Sequence, residues 1–202
     1  MFELLTGTGL AVAAGLNAYI PMLVVGLGAR FFDFITLPAG WNWLENEWVL
    51  GILGVLLVIE VIADKIPVVD TINDWIQTIV RPAAGGIVFG AGSSSATEVV
   101  QDPGQFFTSG SWVPVAIGVV LALVVHAGKA FARTAVNAMT LGIGAPVVST
   151  IEDASSVVMS ILAILAPVFV ILGIGGLVWA AVALFRRAAR KRRERAAVNP
   201  AL

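Results

Sequence analysis

The chain has 202 residues, 58% of them hydrophobic and 12% charged, about half the charged share of an average soluble domain. Together with a mean hydropathy of +0.95, this excludes a soluble globular protein and predicts an integral membrane protein. The net charge of −1 hides an asymmetry: seven of the twelve basic residues fall in 186–195, a juxtamembrane cluster of the kind that stays cytoplasmic and meets anionic lipid rather than nucleic acid.

Long apolar runs, rather than alternating ten-residue strands, exclude a β-barrel. At about 20 residues per crossing the chain holds about six spans. Having no cysteine, it has no disulfides, thiolate metal sites or cysteine nucleophiles. The opening MFELLTGTG has no basic n-region, so no cleaved signal peptide is expected.

The first span is predicted over 10–29, with Asn17 positioned to hydrogen-bond across a helix interface and Pro21 to kink the helix. A loop over 30–47 carries Trp41 and Trp43, which with Trp48 form an interfacial aromatic cluster. The second span, 48–63, holds Glu60 and finishes on Asp64-Lys65. A polar connection over 64–81 follows, with Asp70, Asn73, Asp74, Gln77 and Arg81, and with a short amphipathic helix placing Asp70 and Asp74 on one face.

The segment 82–100 is rich in Gly, Ala and Ser and too short in its apolar part to cross alone, so it is expected to be buried among other helices or re-entrant. Span four covers 112–127 and ends in His126, Lys129 and Arg133. Span five, 135–151, is small and polar, with Asn137 in it. Glu152-Asp153 then separates it from the last run, 157–185, which Pro167 and nearby glycines are expected to kink. With a cytoplasmic N-terminus and six spans, Lys65, Arg81, Lys129, Arg133 and the tail fall inside and only Arg30 outside. That predicts a multi-pass inner-membrane protein with both termini cytoplasmic.

A shift of sixty-four residues superposes Trp48-Val49 on Trp112-Val113, Gly54 on Gly118, Lys65 on Lys129, Asn73 on Asn137 and Pro82 on Pro146. An internal duplication over 48–100 and 112–164 is therefore expected, with Lys65 and Lys129 at matching depths. The fold class is an all-α membrane protein of about six transmembrane or re-entrant helices, the third and fifth short and interior. It forms one polytopic domain over 1–185 followed by a basic cytoplasmic tail over 186–202.

The stretches ADKIPVVDTINDWIQTIVRPAAGG, GLNAYIP and HAGKAFARTAVNAMTLGIGAPVVSTIEDASS resemble the small bacterial membrane proteins of domain of unknown function family 4126. The resemblance implies a membrane protein and supplies no catalytic residues. A fainter likeness, to cation/proton exchangers with a duplicated Glu-x-Gly-Asp-Lys motif, fails in detail. Glu60-Val-Ile-Ala-Asp64-Lys65 has one residue too many and no Gly, and His126-Ala-Gly-Lys129 lacks both acids.

Glu60 and Asp64 stand i, i+4 on one helical face, with Glu60 about 7–8 Å deeper than Lys65. A charge inside a span costs roughly 2.5–3.5 kcal/mol on insertion scales, which makes it a functional-site candidate. Adjacent carboxylates repel, so one holds a proton or both hold a cation; alternatively Glu60 pairs with Arg81, Lys129 or Arg133. The candidate ion site is Glu60, Asp64, Asn17, Asn137, Glu152 and Asp153. Lys65, Arg81, Lys129, Arg133 and His126 are its structural charge partners. Glu152 and Asp153 also fit a bland role at a helix N-terminus, and one histidine without cysteine does not make a usual zinc site. No hydrolase, P-loop or dinucleotide motif is present, so neither an enzyme nor a cofactor is expected. The expected function is transport of a small solute or cation or proton by intramembrane carboxylates. The alternative is a lipid-handling protein or a scaffold subunit, membrane lipid being the common partner and a homo-oligomer compatible with either.

Overall fold

The computed structural model describes residues 2–32, 35–93, 110–140 and 144–198. Seven α-helices run through them: α1 (Phe2–Leu16), α2 (Tyr19–Phe32), α3 (Glu47–Ala63), α4 (Pro67–Gly92), α5 (Trp112–Thr140), α6 (Ala145–Leu165) and α7 (Val170–Val198), with 3-10 turns at Ala39–Glu45 and Pro167–Phe169. No strand occurs among the described residues.

The surface identifies the solvent. Ile52, Val55, Ile59 and Ile62 on α3, Ile72, Trp75 and Ile79 on α4, Val124 and Phe131 on α5, and Leu172 and Trp179 on α7 are all exposed. Apolar patches of this extent mean that hydrocarbon, not water, lies outside. α5 over 112–137 and α6 are each long and apolar enough to cross a membrane, and the 3-10 turn with α3, bent by 64°, makes a third such unit. The chain is a helical membrane protein.

α1 sits at the centre, buried from Leu10 to Leu16 and packed against α4, α5 and α6. Its 15 residues reach about 22 Å, less than the roughly 30 Å hydrocarbon core. It is tolerated there because protein surrounds it. Small residues make the fit possible: a Cβ on Gly9 would lie 2.7 Å from Ala163 and Val170, and one on Gly15 would lie 2.7 Å from the carbonyl of Ala122. The contacts of Gly7 with Phe89, Asn17 with Asp153 and Gly9 with Ala163 make α4 and α6 antiparallel to α1.

Several boundaries differ from the sequence expectation. The first span is two helices, broken at Asn17-Ala18, and Pro21 stands in the first turn of α2 rather than kinking a continuous helix. The polar connection and the third span are one 26-residue helix, α4, which passes through Pro82. Span four continues to Thr140, and Glu152-Asp153 lies inside α6, not between helices. The last run is broken by the 3-10 turn at Pro167, and the basic tail continues α7 to Val198. The third segment is interior as expected, but as the end of the long α4 rather than as a short helix, and the short interior helix is α1.

The sixty-four-residue register matches residues but not elements. α3 stops at Ala63, whereas α5 runs on past the aligned Ala127, and Lys65 is exposed while Lys129 is buried. Residues 94–100 of the first copy and 141–143 of the second lie outside the described residues.

α4 and α5 pack antiparallel along glycine. A Cβ on Gly118 would collide with the Gly85 carbonyl oxygen, and one on Gly85 would sit 2.7 Å from that of Gly118. Backbone cannot yield as a side chain can, so Gly118→Val is expected to lower unfolding free energy in detergent by about 1–3 kcal/mol or more. Gly128→Ala, at a helical position with nothing within 4 Å of the new carbon, should be neutral or gain up to about 1 kcal/mol. Denaturant titration of the two variants checks the contrast.

Candidate functional site

The break between α1 and α2 is where the polar residues converge. Ending α1 at Leu16 leaves carbonyls without helical partners, and starting α2 at Tyr19 leaves amides without them. Both are served by side chains. Lys129 Nζ donates to Leu16 O at 3.0 Å, a cation at the negative end of the helix dipole. Asn17 Oδ1 accepts from the amides of Tyr19 at 3.0 Å and Ile20 at 3.2 Å, capping α2. Asn17 Nδ2 donates to Asp153 Oδ1 at 2.9 Å, tying the break to α6.

Around the break, three carboxylates and three cations are buried. Arg81 of α4 donates through Nη2 to Glu60 Oε1 at 2.8 Å, with both residues at most 1% exposed. Asp64, capping α3, lies 3.1 Å from Arg133 Nη2, 3.6 Å from Lys129 Nζ and 4.0 Å from Arg81 Nη2, and accepts from Asn73 Nδ2 at 2.9 Å. Glu152 of α6 lies 3.1 Å from Lys129 Nζ and 2.9 Å from Arg133 Nη2. Asp74, partly exposed, is 3.9 Å from Arg133 Nη1. The three buried acids and the three bases offset one another, so the cluster tolerates an apolar surround in which any single member would be costly.

His126 of α5 joins through Arg81 Nη1, 3.0 Å from its Nδ1, and Thr78 Oγ1, 3.1 Å from its Nε2. Saturation is incomplete: Glu60 Oε2 and Arg81 Nε are buried with no hydrogen-bond partner among the described residues. Beside the cluster a cavity of about 320 Å³ opens between α4 and α5, lined among others by Asp74, Thr78, His126, Thr134 and Asn137. Another, of about 290 Å³, lies at the opposite end of α1 among Phe2, Thr6, Leu10, Gly92, Ile164 and Pro167.

The structure thus brings together Glu60, Asp64, Asn17, Glu152 and Asp153 from the sequence-expected site, with Arg81, Lys129, Arg133 and His126 as charge partners. Asn137 lines the cavity, its Oδ1 without a partner among the described residues, and does not join the cluster. Lys65 is exposed at the turn after α3 and stands apart. Arg81, Lys129 and Arg133 are buried partners of acids rather than loop charges, which removes them from the count of basic residues that set orientation. Cations from α4 and α5 stand against both Glu60 and Asp64.

Thr78, Asn73 and Asp74 complete the site and were not separable from a polar loop in the sequence. The signal for them is spacing: 74, 77, 78 and 81 fall on one face once 67–92 is read as a single helix. The same period joins 126, 129 and 133, and also 149, 152, 156 and 160, whose serines and glutamate are all buried against α1 or within α6. Among the described residues, no three His, Asp or Glu side chains converge as metal ligands would.

Removing one member of a buried pair exposes the cost of the other. Arg81→Gln is expected to destabilise by about 3–5 kcal/mol, and the double variant Glu60→Gln/Arg81→Gln to recover most of it, because the neutral pair leaves no lone charge. Unfolding in detergent for the two single variants and the double one measures the coupling.

A family profile described as domain of unknown function (DUF4126) matches residues 4–187, nearly the whole chain, and the chain belongs to that family. No curated protein and no solved structure matches it.

Proposed function

We propose that this DUF4126 protein moves a small solute, cation or proton across the membrane, with the charge cluster at the α1–α2 break as its exchange site. The observation that carries the reading is the break itself. Two half-helices end inside the bundle, at buried carboxylates, with a capped N-terminus and a cation-bound C-terminus. Discontinuous helices with their ends at a polar site are how secondary transporters hold substrate and coupling ions. A cluster serving only stability would more cheaply be apolar. The cavity between α4 and α5 supplies an approach to the cluster from its own side. The unpartnered Glu60 Oε2 supplies a place for a proton or an ion without first dismantling the Arg81 pair.

For orientation, the support is the basic tail. It continues α7, which starts against Gly9 and turns back along α6, where Gly173 meets Met159. Positive charge held inside puts that end, and the cluster with it, on the cytoplasmic side of the inner membrane. Phe2 lines a cavity with Ile164 and Pro167 at the other end, so the run of the helices favours ends on opposite sides over the expected shared one.

A second reading, lipid handling or a scaffold role, draws on an apolar groove of about 440 Å³ between α6 and α7, lined by Val158, Met159, Leu162, Gly173 and Gly176 among others. Purified protein in liposomes, screened for proton, monovalent cation, divalent cation and labelled-lipid flux, separates the readings. Ion flux is expected in the wild type, and its loss in Glu60→Gln/Arg81→Gln with folding retained. Flux unchanged in that double variant would leave the pair a structural element, and flux of lipid alone would favour the second reading. The transported cation should also raise the wild-type unfolding midpoint, as a ligand of the native state does.

A further inference from the structure

We propose that His126 is the group through which protons reach the exchange site, with the cavity between α4 and α5 as their aqueous path. The inference rests on the transport reading and names what drives it.

Hydrogen-bond direction carries the case. Arginine has donors only, so across the 3.0 Å contact Arg81 Nη1 donates and His126 Nδ1 accepts. The ring is therefore neutral with its proton on Nε2, which donates to Thr78 Oγ1 at 3.1 Å. Thr78 Oγ1 passes the direction on, donating to the backbone carbonyl of Asp74 at 2.8 Å. The chain runs one way, from the buried Arg81–Glu60 pair through the imidazole to the cavity wall. His126 and Thr78 both line that cavity, and Arg81 does not. His126 is the ionisable side chain that touches the cavity on one side and Arg81 on the other.

When Arg81 Nη1 lets go of Nδ1 and the ring turns that nitrogen to the cavity, a proton from hydronium there forms a new N–H bond at Nδ1 and leaves water behind. Both ring nitrogens then donate, the Arg81–His126 hydrogen bond is lost, and two cations face each other across it. Arg81 must leave its seat between His126 and Glu60, and Glu60 is released from its partner. The charges around the ring set the outcome. α4 presents Arg81 and Asp74, and α5 presents Lys129 and Arg133. Glu60 and Asp64 from α3 act through Arg81, and Glu152 from α6 acts through Arg133 and Lys129. α1 has one ionisable residue, Glu3, at its far end. One proton taken up by His126 adds one positive charge to the site, and the cargo class whose release offsets it is a monovalent cation.

His126 is the chain's single histidine, so nitrogen-15 histidine labelling of the full-length protein gives one imidazole to observe. The expected spectrum shows an Nε2–H ring that becomes doubly protonated as pH falls while the protein stays folded. In liposomes with a pH gradient and sodium or potassium as the probe, His126→Gln keeps both hydrogen bonds but cannot titrate, and should lower proton-driven flux roughly tenfold or more while leaving the cation-induced rise in unfolding midpoint in place. Thr78→Val, which removes the Nε2–H acceptor together with its bond to the Asp74 carbonyl, should shift the ring signals, and it tests the chain even where His126→Gln does not fold. An Nδ1–H ring, a ring that never titrates in the folded protein, or proton-driven flux undiminished in His126→Gln would overturn the assignment. Absence of cation flux from the wild type, beside a titrating Nε2–H ring, would overturn the transport reading instead.

Discussion

Charge neutralisation in an apolar surround is the constraint on which the architecture depends. Arg81, Lys129 and Arg133 come from two antiparallel helices, and Glu60, Asp64 and Glu152 from two others, α3 and α6. None is tolerable alone at that depth, because hydrocarbon offers no competing solvation. Four helices are therefore held in one rotational setting each, since turning any of them by a residue withdraws a charge from its partners. Asp64 meets three cations and an amide from the end of α3.

Close packing and the polar cluster are two sides of one arrangement. Gly85 against Gly118 brings α4 and α5 near enough for Thr78, Arg81 and Asp74 to reach His126 and Arg133. Gly9 and Gly15 let α1 lie between α4, α5 and α6 with its broken end at the cluster. In lipid no hydrophobic force draws helices together, so van der Waals contact of small residues and interhelical hydrogen bonds must do it. Inward lie small residues, the charges and apolar side chains such as Leu10, Val25 and Phe89, while the outward faces are large and apolar where a soluble bundle's are polar.

A network so balanced has two physical uses, and they differ in mobility. As a static clamp it fixes helix register at a net cost relative to an apolar core. As an exchange site it stays near zero charge while partners trade places. The unpartnered oxygen of Glu60, the broken helix and the cavity reaching His126 are features that a static clamp does not need, and the proposed exchange role rests on them.

Composition by itself determined the solvent, the helical class and the presence of a carboxylate-centred polar region at Glu60 and Asp64, because hydropathy over twenty residues and the cost of an intramembrane charge are local properties. Family membership was equally legible, in three stretches of residues. Helix boundaries at Asn17, through Pro82 and across Glu152 were not, since each is set by partners supplied from elsewhere: Asp153 for the break, α1 and α5 for the middle of α4, Arg133 and Lys129 for the interior of α6. Nor could the sequence choose which cation pairs with which acid, or show that Lys65 and Lys129, matched in register, end one exposed and one buried. Those depend on which helices lie side by side, and only the tertiary structure decides that, because pairings such as Asn17 with Asp153 join residues more than a hundred positions apart.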